Sequence, residues 1–246
     1  MKVINLISGP RNISTALMYS FAQRDDFVVL DEPFYGYYLA NARERSVHPS
    51  EEEVLERMPL SYPDIVESIN KKAKESRVFV KGMAHHLLMD DPNFLVGWQN
   101  VFLIRKPEDL IASFAKVIPN PTMEDIGYKQ ALRLLSFLDK SGLSTLVLES
   151  DELLKAPENY LTALCEKLEI PFQKNMLSWK PGARAEDGSW AKHWYGSVHT
   201  SSGFFTKPSS TPQVPNHLLG LLEEAKKYYH LIQPRILKNE SHATNL

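Results

Sequence analysis

Five short runs of almost wholly apolar residues punctuate this chain, and helical spacing fills most of the sequence between them. The runs are Val3-Ile4-Asn5-Leu6-Ile7, Phe27-Val28-Val29-Leu30, Val78-Phe79-Val80, Val101-Phe102-Leu103-Ile104 and Thr145 to Leu148. Runs this apolar read as strands covered on both sides. Strands alternating with helices predict an α/β fold, a parallel sheet between two helical layers. Helices are expected from Ser14 to Arg24, from Pro63 to Ser76, from Pro107 onward, and over 124–140, 157–168 and 216–237. Residues 34–60 are first aromatic and then charged, and read as cover over a site. From 179 to 215 the periodicity disappears and Gly, Ser, Pro, Trp and Tyr dominate, which reads as a functional lid loop. No repeat or linker divides the chain, so one domain over 1–246 is expected, with a flexible tail from Lys238.

Charge decides which partners are plausible. Lys and Arg number 28 against 30 Asp and Glu, a formal charge of −2. Such a chain has no bulk attraction for nucleic acid or anionic lipid, so neither is expected as a partner. Any anion it binds must be held by a few placed groups. The single cysteine, Cys165, excludes an intrachain disulfide and reads as a core helix residue. No apolar run approaches the roughly 18 residues a membrane span needs. Met1-Lys2 is followed by only five mostly apolar residues, unlike a secretory leader, so the cytoplasm is the expected compartment.

The strand-turn-helix over residues 3–24 carries the first chemistry. A helix N-terminus offers unpaired N–H groups and a partial positive charge. Ser14 and Thr15 stand at that start, where their hydroxyls can cap the helix or face a ligand, and Arg11 adds a forked full charge. Together they describe a phosphate cradle. They equally describe an ordinary capped helix after a turn, with Arg11 solvated. The loop is not a Walker A sequence: Gly9 is followed by Ser14 and Thr15 without the second Gly or the Lys.

A second anion element follows the fourth strand, in Arg105-Lys106-Pro107-Glu108-Asp109-Leu110-Ile111-Ala112-Ser113. Arg105 falls at the strand end, the edge where open α/β sheets bind ligands. Ser113 lies roughly two turns into the next helix. An Arg and a Ser so placed can grip one further phosphate. A surface Arg and a mid-helix Ser bonding its own backbone would give the same letters.

Together the two elements resemble the sulfotransferase family that uses 3′-phosphoadenosine 5′-phosphosulfate. Cytosolic members carry P-K-S-G-T-T after the first strand; this chain has Pro10-Arg11-Asn12-Ile13-Ser14-Thr15, with Arg at the Lys position as in many Golgi and bacterial members and Ile13 at the family's Gly. The family's 3′-phosphate element, R-x-P-x-D-x-x-x-S, is matched at Arg105, Pro107, Asp109 and Ser113. Leu148 to Leu153 resembles the family's strand ending in Y-E-D-L, with Ser150 where the adenine-contacting Tyr would stand. Gly188 to His193 resembles the late G-D-W-K-N segment that closes over the cofactor, and Asp31 to Tyr35 the acidic segment after the second strand. The set is also similar to a sulfotransferase-like group of bacteria, found in plants joined to or named after aminotransferases.

The resemblance implies a P-loop-NTPase-like three-layer sandwich with a five-stranded parallel sheet. It implies transfer of a sulfuryl group to a hydroxyl or amine of a small molecule, without a metal. Arg11, Asn12, Ile13, Ser14 and Thr15 would then meet the phosphosulfate, and Arg105 and Ser113 the 3′-phosphate. Glu32, after the second strand, matches the carboxylate that serves as base in Golgi and bacterial relatives. His85 and His86 are the other candidates, because cytosolic members use a K-T-H segment and this chain reads Lys81-Gly82-Met83-Ala84-His85-His86, with Met83 at the family's His. Either His can instead be a substrate contact or a partly exposed side chain. Lys81 can touch the sulfuryl oxygens or be solvated, Arg184 can reach the 3′-phosphate, and Trp190, Trp194 and Tyr195 can form the lid. No His, Cys, Asp and Glu set has metal-ligand spacing, so no metal is expected. Two other functions fit the fold: a small-molecule kinase, which leaves the Arg105 to Ser113 pattern unexplained, and a non-catalytic nucleotide-binding protein. The short dimerisation segment of cytosolic members is not found, so the oligomeric state stays open.

Overall fold

The computed structural model describes residues 2–43, 47–205 and 212–238. Its centre is a sheet of five parallel strands, β1 (Val3–Ser8), β2 (Phe27–Asp31), β3 (Arg77–Met83), β4 (Gln99–Ile104) and β5 (Leu146–Glu149), in the order β2-β3-β1-β4-β5. The helices are α1 (Ser14–Phe21), α2 (Tyr35–Asn41), α3 (Glu51–Arg57), α4 (Tyr62–Glu75), α5 (Pro107–Phe114) and α6 (Met123–Ile126). They continue with α7 (Tyr128–Lys140), α8 (Ser150–Lys155), α9 (Pro157–Lys167), α10 (Ala191–Trp194), α11 (Gly196–His199) and α12 (Leu219–Ile232).

The two-residue period of the strands builds two cores. Val3, Ile7, Val78, Val80, Phe102, Ile104 and Val147 face one side, under Ile65 and Ile69 of α4 and the apolar faces of α5, α7 and α12. Ile4, Leu6, Phe79, Val101, Leu103 and Leu148 face the other, under α1 and α9, where Cys165 is buried as expected. This is the three-layer arrangement the apolar runs predict. One of the buried polar strand residues is Asn5, whose Nδ2 donates to Asn100 Oδ1 at 3.0 Å on the register-paired β4. Asn100 in turn donates to the carbonyls of Leu95 and Trp98, so the polar pair is satisfied.

Four expectations are corrected. The helix expected over 124–140 is two helices, because Gly127 adopts φ 76, a conformation that breaks α-helical geometry. α6 is separately started by a capping box between Thr122 and Asp125. α1 stops at Phe21 rather than Arg24, and Arg24 is buried, bound to Asp26 and to the Pro171 carbonyl. The stretch read as loop from 179 contains α10 and α11 and a bridge between Ser178 and Gly203. α12 is shorter than 216–237, flanked by single 3-10 turns at Asn216–Leu218 and Gln233–Arg235. Leu237 N then donates to Val147 O at 2.7 Å, pairing the edge of β5. The tail expected from 238 lies outside the described residues from 239 onward. Among the described residues no helix is long and apolar enough to cross a membrane.

Topology places the site. From β1 the chain moves toward the β2 edge, and from β4 toward the β5 edge, so the loops after these adjacent strands part. Open parallel sheets bind ligands in the crevice that such a reversal leaves.

Candidate functional site

A cleft of about 1440 Å³ runs along this carboxyl edge of the sheet. Its wall includes Arg11, Asn12, Ile13, Ser14, Thr15, Glu32, His85, His86, Arg105 and Ser113.

The loop after β1 is held in an unusual shape. Arg11 and Ile13 have φ 58 and 62, the left-handed region. For a β-branched residue such as Ile13 this is strained, at a cost of order 1–3 kcal/mol. Three hydrogen bonds hold the loop there. Asn12 Nδ2 donates to Leu103 O at 2.6 Å, Ser150 Oγ donates to Asn12 O at 2.9 Å, and Arg105 Nη1 donates to Arg11 O at 2.7 Å. Asn12 is thus a strap whose amide turns into the protein, and Ser150, at the position of the family's adenine-contacting Tyr, is a second strap. α1 begins at Ser14 with no side-chain cap, so the capping role considered for Ser14 and Thr15 is not the one they play. The first-turn N–H groups have no partner inside the helix, and Ser14, Thr15 and Ala16 line the cleft.

Arg11 and Arg105 approach each other across this loop. Arg11 Nε donates to Ser113 Oγ at 3.2 Å, and its Nη1 to the Trp194 carbonyl at 3.0 Å. Arg11 makes no ion pair among the described residues, whereas Arg105 has only Asp109 at 3.9 Å. Burial, and then the neighbouring Arg105, push Arg11 below the ordinary guanidinium range. Ser113 bonds Arg11 rather than Arg105, so the two anion elements lie on one contiguous surface.

Over β2 and β3 the site is drier. The parallel register sets Asp31 beside Lys81, and Glu32 follows with φ 46. Lys81 is fully buried, which corrects the reading of a solvated side chain. Its Nζ donates to Asp31 Oδ1 at 3.0 Å, to Glu32 Oε1, and to Tyr195 Oη at 2.5 Å. Tyr195 Oη donates to Asp31 at 2.8 Å and accepts from Trp190 Nε1 at 3.1 Å. Gly188 N donates to Asp31 Oδ2 at 3.1 Å, so the 188–195 segment is tied to the end of β2. Burial pushes Glu32 above the usual carboxylate range, with Lys81 opposing. Burial works to lower Lys81, but Asp31 and Glu32 outweigh it and hold the ammonium above its ordinary value. Burial, then Asp31, raise Tyr195 well above the phenol range.

His85 and His86 are not partly exposed. Both are buried, and the His86 ring stacks on Tyr35 at 4.8 Å and on Tyr38 at 4.9 Å. Burial, then His48, push His85 down to about 3, and burial, then His85, hold His86 well below the imidazole range. Imidazoles held neutral so strongly are poor proton acceptors at neutral pH.

Two further placements differ from expectation. Arg184 does not line the cleft; its guanidinium lies 4.7 Å over the Tyr19 ring, on the α1 side. Asp187, which the sequence did not single out, accepts from Tyr19 Oη at 2.7 Å and pairs with His199 Nε2 at 2.9 Å. No spacing signal marks it, because its partners come from α1 and α11. Among the described residues no three His, Cys, Asp or Glu side chains cluster as metal ligands.

Comparison with known proteins bears on the family and the fold. A family model described as sulfotransferase domain matches residues 1–236. Two proteins of Arabidopsis thaliana, branched-chain-amino-acid aminotransferase-like proteins 2 and 1, are 36% and 37% identical over 236 and 245 residues. These matches cover 95% and 98% of this chain but 42% and 43% of the relatives, so the chain spans less than half their length. Among solved structures, the sulfotransferase domain from the curacin biosynthetic pathway superposes with a TM-score of 0.53 at 16% identity, covering 95% of this chain and 98% of that one. A sulfotransferase from Alicyclobacillus acidocaldarius gives 0.51 at 13% identity, covering 95% and 96%. At such identities these two speak for the fold.

Proposed function

The chain belongs to the sulfotransferase domain family, and we propose that it moves a sulfuryl group from 3′-phosphoadenosine 5′-phosphosulfate to a hydroxyl or amine of a small molecule. The observation that carries this reading is the pair of guanidiniums at the β1/β4 reversal. Arg11 is largely buried beside Arg105 and has no carboxylate of its own among the described residues. Two adjacent cations that share a single carboxylate, Asp109 at 3.9 Å from Arg105, call for an anionic ligand. The residues present fit a doubly phosphorylated adenosine: Arg11 with the start of α1 at Ser14 and Thr15 for the 5′ end, Arg105 and Ser113 for the 3′-phosphate. When bound, that cofactor supplies an activated sulfuryl group whose transfer spreads charge over three oxygens, much as phosphoryl transfer does.

The chain's own side chains then have separate tasks. Arg11 and the α1 amides stabilise negative charge developing on the phosphate side, in a cleft where fixed donors need no reorganisation. Glu32 takes the proton of the acceptor hydroxyl. Its raised carboxyl suits that task better than the neutral imidazoles do. Lys81 holds Glu32 Oε1 in place, leaving Oε2 for the acceptor. The test is Glu32→Gln assayed across an acceptor panel by release of adenosine 3′,5′-bisphosphate. Cofactor binding should survive and turnover should fall about 10²–10⁴-fold, the usual worth of a placed base. Wild-type turnover would move the base elsewhere, and a rate abolished by EDTA with ATP as donor would favour the kinase.

A further inference from the structure

The acceptor end of the cleft shows a seat for one oxygen atom. Glu32 Oε2 and His86 Nδ1 stand 3.9 Å apart. That gap is too long for a hydrogen bond between them, yet one oxygen about 2.8 Å from each would meet both at close to a right angle. His86 Nδ1 is buried and has no hydrogen-bond partner in the structure. A buried nitrogen left so points to a group that would satisfy it. Its position is fixed, because the imidazole is stacked on Tyr35 with an interplanar angle of 8°. The other side of the seat is fixed as well, since Lys81 engages Oε1 of Glu32 and not Oε2.

We propose that the acceptor is an uncharged alcohol or phenol whose hydroxyl oxygen sits between Glu32 and His86, donating its proton to Oε2 and accepting from the Nδ1–H of His86. This rests on the sulfuryl-transfer reading and narrows its substrate class. The seat favours hydroxyls over amines. A hydroxyl oxygen has two lone pairs, so it can accept from His86 and still present one for bond formation. A neutral amine nitrogen has one and cannot do both. The seat also refuses anions. Asp31 and Glu32 outnumber Lys81 over β2 and β3, and burial keeps His85 and His86 neutral. The other Lys and Arg side chains lining the cleft, Arg11, Arg105, Lys106, Lys116 and Lys155, follow β1, β4 and β5 in the fold. A carboxylate or phosphate on the acceptor would be desolvated here beside a Lys81 already committed to Asp31 and Glu32.

The experiment uses the full chain with saturating adenosine 3′,5′-bisphosphate. A library of matched triplets, each an alcohol or phenol, its amine isostere and its carboxylated analogue, is titrated by ligand-observed NMR. The neutral hydroxyl members should bind at least tenfold more tightly than their amine and carboxylated partners. His86→Phe, which keeps the stacking and removes Nδ1, should weaken the hydroxyl probes at least tenfold with bisphosphate affinity unchanged. His86→Asn, whose amide can donate near the same point, should restore most of that loss. The seat is overturned if amine or carboxylated members lead, if His86→Phe binds the hydroxyl probes like wild type, or if bisphosphate binds and no hydroxyl does. Absence of bisphosphate binding by the wild-type chain would instead overturn the underlying sulfuryl-transfer reading.

Discussion

Over β4 and β5 the cleft is walled by Arg105, Lys106 and Lys155, side chains that are 26%, 46% and 62% exposed. Their carboxylate partners are themselves partly exposed, with Arg105 to Asp109 at 3.9 Å, Lys106 to Asp151 at 3.3 Å and Lys155 to Glu152 at 2.5 Å. Over β2 and β3 a single ammonium, Lys81, is fully buried and shared by Asp31, Glu32 and Tyr195. Exposed pairs contribute about 0–1 kcal/mol, so the first set can turn to an incoming anion at little cost. A buried set cannot be opened so cheaply, because each ion stripped of its partner keeps its desolvation penalty. One sheet edge thus carries a region built to accept charge and a region built to hold charge still. In the proposed function, the second is where Glu32 keeps one orientation toward the acceptor.

The strongest way to break this comparison is Lys81→Met. Two buried carboxylates would lose their cation, and unfolding free energy should fall by about 3–5 kcal/mol in urea titration. A loss below about 1 kcal/mol would mean the cluster is not dry.

Acid comes next. His85 sits near 3 in the fold and His86 well below the imidazole range, against about 6.5 unfolded. The unfolded chain therefore binds protons there that the fold refuses. Their stabilisation is present above pH 6.5 and is lost as pH falls toward about 3, by up to about 1.4 kcal/mol per pH unit for each His. Glu32 works in the opposite direction: its raised carboxyl favours the fold when protonated, and that contribution is lost as pH rises through its folded value. Melting temperature measured from pH 7 to pH 4 should fall, and His85→Gln with His86→Phe should flatten the slope.

Tyr195→Phe tests the tie between the two regions and the 188–195 segment. Leaving Asp31 and Lys81 short of one partner should cost about 1–3 kcal/mol. Amide exchange in residues 188–199 should speed up while α5 stays protected. A segment that exchanges at the wild-type rate would mean Tyr195 is packing alone. The smallest effect is expected at Ser113→Ala, which removes one hydroxyl acceptor from the Arg11 guanidinium and should weaken bisphosphate about threefold.

The sequence carried the sheet well because its strands are buried on both faces and read as apolar runs. It overran at Gly127, where apolar spacing continues through a residue whose φ of 76 ends one helix and starts another. The cationic end was visible for a related reason: Arg11 and Arg105 follow a strand within three residues and Ser113 stands on the helix that comes next, so local order places them. The buried cluster was not. Whether Lys81 is solvated depends on the register that sets Asp31 beside it and on Tyr195, 114 residues away. Arg184 was misplaced for the same reason, since its neighbour Tyr19 lies on α1. Residues whose roles come from their own loop can be read locally, whereas those defined by partners across the fold cannot.

The most direct measurement is calorimetric titration of wild type and Arg105→Ala with adenosine 3′,5′-bisphosphate, adenosine 5′-phosphosulfate and ATP-Mg. The account predicts that wild type prefers the bisphosphate to ATP-Mg. It also predicts that the substitution weakens the bisphosphate at least tenfold, about 1.4 kcal/mol, and the phosphosulfate much less. Equal losses for both, or tighter binding of ATP-Mg by the wild-type chain, would contradict it.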